Sequence, residues 1–277
     1  MNDYSANPPA QTLFLDRPGG RIAYEVSGQG QLVVLLPGMG DLRATYRFLA
    51  PRLVEAGYRV ALTDLRGHGD SDPTFGSYGD VETAGDILAL VETLGGPAVV
   101  IGNSMGAGAA VCAAAERPEL VSGLVLVGPF VRDGDIGVLT RAMMRVALAS
   151  PWAAMSWKAY LPRLYAGRTP EDHETYLREV VASLRRPGYS SAFSRTTRLS
   201  HDPAEARLGQ VTAPTLVVMG EQDPDFPDPR VEAEWIADTL GGRTLMVADA
   251  GHYPQSQQPD LVADAVTGFL AEAAPRA

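Results

Sequence analysis

The sequence predicts an α/β protein: a mostly parallel, eight-stranded sheet with helices on both faces and a helical cap inserted late in the chain. Three observations carry that prediction. Unbroken apolar runs such as LVVLL at 32–36 read as strands buried on both faces. Helix-length stretches separate these runs, which is how parallel strands are joined. Between about 130 and 208 the alternation stops and helical patterns follow one another without a clear strand.

The elements follow in order. Apolar runs at 12–15 and 22–26 flank the turn-forming Arg17 to Gly20 and read as an antiparallel hairpin. A strand at 32–36, a helix at 44–56 and a strand at 60–63 come next, then a helix at 81–94 and a strand at 98–101. A helix at 105–116 and a strand at 124–127 precede the cap, and after it come a strand at 215–218, a helix at 231–240, a strand at 244–247 and a helix at 261–271. This gives a core of residues 11–129 and 209–274, a cap of 130–208 and a flexible tail of 1–10.

Composition narrows the function. With 277 residues, 45% of them hydrophobic and 20% charged, the chain can bury a substantial core. A formal charge of −10 argues against nucleic acid and against an anionic membrane surface, both of which need clustered Lys and Arg. A small neutral molecule as substrate fits that charge better. Lys158 is the one lysine, which discriminates no function. Cys112 is the one cysteine, so neither an internal disulfide nor a multi-cysteine metal site can form, and its small-residue surroundings give it a packing role. The first ten residues lack a cationic start and an apolar core, and no apolar run reaches the roughly 18 residues a membrane span needs. A cytoplasmic protein is expected, with no metal and no cofactor.

Gly102-Asn103-Ser104-Met105-Gly106 is a G-x-S-x-G pattern lying directly between a predicted strand and a predicted helix. The position carries the meaning. A serine exposed on so tight a turn needs glycines two residues to either side, because side chains there would collide. A serine hydroxyl is a weak nucleophile and needs a base. His173 stands among Glu171, Asp172 and Glu174 and reads as solvated; His201 precedes Asp202 and Pro203 and reads as a loop residue. His68 lies in the turn Asp64-Leu65-Arg66-Gly67-His68-Gly69, and His252 in the loop after the last strand. Strand ends on one edge of a parallel sheet converge, so His252 can meet Ser104.

These features resemble the α/β-hydrolase superfamily along nearly the whole chain, including its order of nucleophile, acid and histidine. The resemblance implies Asp223, in Gly220-Glu221-Gln222-Asp223-Pro224, as the acid. Asp225 and Asp228 are close enough to compete, and Asp133 stands where some members place the acid; the three read as solvated loop carboxylates. It also implies an oxyanion hole from the backbone N–H groups of Met105 and Met39, the latter in Leu36-Pro37-Gly38-Met39-Gly40. Members often carry His-Gly where this chain has Pro37-Gly38. The 64–69 turn resembles a family motif that holds loops together.

The implied activity is that of a serine esterase or lactonase acting on a small, hydrophobic substrate through an acyl-enzyme. A serine at the elbow disfavours haloalkane dehalogenases and epoxide hydrolases, which carry aspartate there. GNSMG also resembles the elbow of meta-cleavage-product hydrolases, which break C–C bonds, although Tyr253-Pro254 matches them less well. A ligand receptor without turnover is the rival from outside the enzymes. Met143, Met144, Trp152, Met155, Trp157, Tyr160 and Phe193 are expected to roof Ser104 with an apolar pocket.

Overall fold

The computed structural model describes residues 11–134 and 137–273. The expected tail, 1–10, lies outside the described residues. Eight strands form one sheet: β1 (Leu13–Arg17), β2 (Gly20–Ser27), β3 (Leu32–Leu36), β4 (Arg59–Thr63), β5 (Ala98–Asn103), β6 (Val121–Val127), β7 (Thr215–Gly220) and β8 (Arg243–Val247). Their order is β1-β2-β4-β3-β5-β6-β7-β8. β1 and β2 pair antiparallel, as do β2 and β4, and every later pairing is parallel.

Period-two alternation sorts the strand side chains into two cores. Leu32, Val34 and Leu36 of β3, with Ala98 and Val100 of β5, pack under α2 (Asp80–Thr93), α3 (Met105–Glu116) and α9 (Pro229–Leu240) through Ile87, Leu90, Val111 and Ile236. Val33, Leu35, Val99 and Ile101 face the other way, toward α1 (Leu49–Glu55) and α11 (Pro259–Ala273) through Leu53, Val262, Val266 and Phe269. Each Val, Leu, Ile or Phe among them is worth about 1.5–3 kcal/mol when fully buried. Both faces are therefore covered, which is why these strands carry no polar alternation.

The expected helix at 44–56 is two pieces, a 3₁₀ turn at Arg43–Tyr46 and then α1. Pro51 explains the break. It has no N–H to bond one turn back, so it is accommodated in the first turn of a helix that starts at Leu49. β6 begins three residues earlier than expected, because Ser122 and Gly123 interrupt the apolar run and accompany a register shift against Ala98 and Val99. The single-turn α10 (Pro254–Gln257) had no periodic signal to give it away.

Between β6 and β7 lie α4 (Val138–Ala147), α5 (Ala153–Leu164), α6 (His173–Leu184), α7 (Tyr189–Thr196) and α8 (Asp202–Glu205). Trp157, Leu161, Leu164, Tyr176, Val180, Leu184 and Phe193 build a third apolar cluster that reaches Tyr253 and Met39. The expected apolar roof divides here. Trp157 and Phe193 are buried and Tyr160 is half-buried, whereas Met143, Met144, Trp152 and Met155 are exposed. Those four stand on the solvent-exposed surface of α4, of the turn that follows it and of α5, and are not packed into the third cluster.

Candidate active site

Parallel pairing from β3 through β8 brings the loops after these strands to one edge of the sheet. Chain order reverses direction around β3, between β4 and β5, which places a crevice above β3 and β5. Met39, Ser104, Asp223 and His252 all sit in these loops.

Ser104 joins β5 to α3 with φ 56° and ψ −124°, a backbone region that costs a non-glycine residue on the order of 1–3 kcal/mol. Its N–H donates to Val127 O at 2.9 Å, and its carbonyl accepts from Ala107 N at 2.9 Å and Phe130 N at 3.3 Å. The flanking glycines are required sterically. A Cβ at Gly102 would stand 2.6 Å from Ala107 N, and one at Gly106 would stand 2.6 Å from Pro37 O. Among the described residues no group accepts from the backbone N–H of Met39 or of Met105. Neither is there a hydrogen bond from Ser104 Oγ to His252; such bonds often tighten only around a bound substrate.

The loop carrying Met39 is held from two sides. Gly40 N–H donates to His68 Nε2 at 2.9 Å, and Gly40 O accepts from Trp157 Nε1 at 2.8 Å. Because His68 Nδ1 lies 2.8 Å from Arg66 O, a pure acceptor, the ring is the neutral Nδ1–H tautomer. Burial lowers its pKa to about 4. Nearby, Asp64 accepts from Arg43 N at 2.8 Å and from Asp70 N at 3.0 Å, and its carboxylate also pairs with the Arg43 guanidinium. The 64–69 turn thus fastens loops together.

His252 Nδ1 lies 2.7 Å from Asp223 Oδ2, and both side chains are buried. The other Asp223 oxygen accepts from Asp225 N at 3.0 Å. Burial alone would lower the His252 pKa, but the Asp223 carboxylate, through its charge and hydrogen bond, outweighs it with help from Asp225 and Asp41, and the ring is lifted to about 9. The three competing carboxylates are engaged in different ways. Asp228 caps α9, accepting from Arg230 N and Val231 N. Asp133 accepts from Ser200 Oγ and His201 N, both at 3.0 Å. Asp225 is not the solvated loop residue expected: it is largely buried, 3.9 Å from His252 Nδ1, and accepts from Tyr160 OH of α5. Asp223, Asp225 and His252 have potential ligand atoms within 4.8 Å of one another. Of these atoms, His252 Nδ1 is engaged by Asp223 and one Asp225 oxygen accepts from Tyr160.

Several contacts had no sequence signature. Asn103 Nδ2 donates to Val127 O at 3.0 Å and to His252 O at 3.2 Å. Gln257 uses all of its side chain: Oε1 accepts from Gly251 N at 2.9 Å and Tyr253 N at 3.3 Å, and Nε2 donates to Ala166 O and Arg168 O, both at 2.8 Å. His252 N–H itself donates to Leu164 O at 2.8 Å, so the histidine loop is tied to the end of α5. His201 is not a free loop residue, since its Nδ1 lies 2.9 Å from the buried Asp80. His173 is half-buried against Tyr165, and burial lowers its pKa.

A cavity of about 620 Å³ lies elsewhere, between the 42–47 segment and α6; its walls include Glu25, Arg43, Arg47, Asp64, Asp70 and Arg186. Arg43 there is paired with Glu25, Asp64 and Asp70, so the charges are largely matched.

A serine on a strained strand-to-helix elbow and a buried Asp–His pair lie at the same edge of the sheet, an arrangement of the kind found in α/β proteins of the hydrolase class. Residues 33–265 match the alpha/beta hydrolase family, and the chain belongs to it. It is 30% identical to a 2-(acetamidomethylene)succinate hydrolase from Mesorhizobium japonicum, covering 91% of this chain and 92% of that protein. It is 29% identical to a 2-hydroxy-6-oxo-6-phenylhexa-2,4-dienoate hydrolase from Comamonas testosteroni, covering 86% and 87%. Among solved structures it resembles a thermophilic esterase from Thermogutta terrifontis with a TM-score of 0.82 at 25% identity, covering 96% of this chain and all of that one.

Proposed function

We propose that the protein is a serine hydrolase that cleaves a small, largely hydrophobic carboxylic ester or lactone. The observation that supports this most directly is the buried 2.7 Å contact between His252 and Asp223 at the edge where Ser104 stands half-buried on its elbow. In this reading Asp223 keeps the His252 proton on Nδ1, leaving Nε2 to take the proton of Ser104 Oγ. Oγ adds to the substrate carbonyl, and the resulting oxyanion accepts from the N–H groups of Met39 and Met105. Collapse expels the alcohol, which takes the proton from His252, and leaves an acyl-Ser104. Water, deprotonated by the same imidazole, releases the acid.

Residues 130–208 act as a cap over this edge, with Trp157 and Phe193 packing near Gly40 as its apolar inner surface. No helix among the described residues is long and apolar enough to cross a membrane. The lone, buried Cys112 suits a cytoplasmic setting.

A fluorophosphonate probe tests the reading. It labels Ser104, and p-nitrophenyl esters from acetate to palmitate are turned over with a preference for the shorter chains. Labelling elsewhere, or a single turnover only, contradicts it.

The second reading, cleavage of a C–C bond next to a ketone, is favoured by the Comamonas relative. It predicts loss of the absorbance of a 2-hydroxy-6-oxo-dienoate substrate on a catalytic timescale, with ester turnover slower.

A further inference from the structure

Net charge averages over the chain and conceals one segment. Residues 136–170 contain no Asp or Glu, yet hold Arg141, Arg145, Lys158, Arg163 and Arg168. With 33 acids in 277 residues, a stretch of that length would carry about four at the chain's average density. The segment includes α4, α5 and the turn between them.

Its apolar side chains fall into two groups. Ala153, Ala154, Trp157, Leu161 and Leu164 are buried in the third apolar cluster. Leu139, Met143, Met144, Val146, Trp152 and Met155 are exposed to between 44% and 75%, more than half of the large exposed apolar side chains among the described residues. Leu139, Met143 and Val146 follow i, i+4, i+7 spacing and share one face of α4. Trp152 Nε1 donates to Val146 O at 2.7 Å, which fixes the indole at the end of that face. Arg145, Lys158 and Arg163 are exposed and form no ion pair among the described residues.

We propose that α4, Trp152 and Met155 form a surface that docks on an anionic phospholipid bilayer. An exposed apolar helix face, an indole at its end and unpaired bases around it are what an interfacial helix needs. The apolar groups enter the acyl boundary, while the bases meet phosphate headgroups. A second copy fits less well, since a two-fold contact would set the bases of one copy against those of the other. The overall charge of −10 does not oppose docking in this orientation, because acids more than a Debye length of about 8 Å from the surface are screened. The inference does not depend on the catalytic reading, as none of these side chains has a role in the proposed chemistry.

The test is co-sedimentation of the full chain with vesicles of phosphatidylcholine alone or mixed equally with phosphatidylglycerol. Wild type is expected to partition onto the mixed vesicles, to bind phosphatidylcholine at least about five-fold more weakly, and to be released by about 0.5 M salt. Arg145→Glu with Lys158→Glu is expected to reduce partitioning at least about ten-fold, and Trp152→Ser with Met155→Ser to reduce it comparably, with unchanged thermal melting. Failure of wild type to bind the mixed vesicles overturns the proposal, as does equal binding by the charge-reversed variant. A concentration-dependent dimer in light scattering that Trp152→Ser with Met155→Ser dissociates would assign the face to a second copy instead.

Discussion

The side-chain amide of Asn103 donates to the backbone carbonyl of His252 at 3.2 Å, so the residue before the proposed nucleophile holds the loop of the proposed base. The same amide donates to Val127 O, at the end of the neighbouring strand. Asn103→Leu keeps the volume and removes both bonds. It is expected to cost about 1–3 kcal/mol of stability, since the buried His252 carbonyl loses its donor while Val127 O keeps the Ser104 N–H. If the bond also sets the distance between serine and imidazole, kcat falls by up to roughly 10²-fold with little change in KM. Urea unfolding and steady-state ester kinetics separate the two effects, and wild-type kcat would confine Asn103 to stability.

The carboxylates near His252 differ in their engagement, and so should their variants. Asp223→Asn removes the acceptor that fixes the Nδ1–H tautomer, with an expected loss of roughly 10⁴ in kcat. Asp225→Asn leaves the 2.7 Å contact intact and should cost far less. Asp228→Asn replaces one good helix cap with another, and Asp133→Asn alters only contacts to Ser200 and His201; neither should change kcat appreciably. A larger loss at Asp225 than at Asp223 would reassign the acid.

The parts of this arrangement that the sequence reveals are those with local signatures. Apolar runs marked the strands, and the G-x-S-x-G spacing at a strand-to-helix junction marked Ser104, because the tight turn itself demands glycine at 102, within five residues, while the close approach of the loop after β3 demands it at 106. The Asn103 contacts and those of Gln257 Nε2 join segments 24 to 149 residues apart and have no such pattern. The outward placement of Met143, Met144, Trp152 and Met155 was missed for a related reason. Periodicity gives α4 an apolar face, but only tertiary packing decides whether that face meets the core or the solvent.

Activity should depend on pH through His252. The general base must be neutral, and Asp223, with Asp225 and Asp41 adding to it, lifts the ring to about 9 against the effect of burial. kcat/KM is therefore expected to climb from pH 6 and level off only near pH 9, above the ordinary imidazole range. Asp225→Asn removes one of the charges that favour imidazolium and moves the inflection to lower pH. Tyr160→Phe leaves the Asp225 charge without its hydroxyl donor and should move it less. A profile that is flat from pH 6 to 9 in the wild type, or an inflection that does not move in Asp225→Asn, contradicts this assignment.

The opposite shift at His68 makes a stability prediction. Burial lowers its folded pKa to about 4, whereas an unfolded histidine titrates near 6.5. Between these values the unfolded chain binds a proton that the folded chain excludes, so stability falls as pH drops from about 6.5 to 4, by roughly 3 kcal/mol over the window from this group. Above pH 6.5 the ring is neutral in both states and contributes no slope. His68→Gln cannot titrate, though it can still offer Gly40 N–H an acceptor. At pH 7.5 the variant should be less stable than wild type, because the fit to Gly40 and Arg66 is poorer. As pH falls toward 4 that gap should close or reverse, since only wild type has a proton to exclude. Urea midpoints at pH 4.5, 5.5, 6.5 and 7.5 measure it, and a gap that stays constant across the series would mean that the His68 proton is not linked to folding.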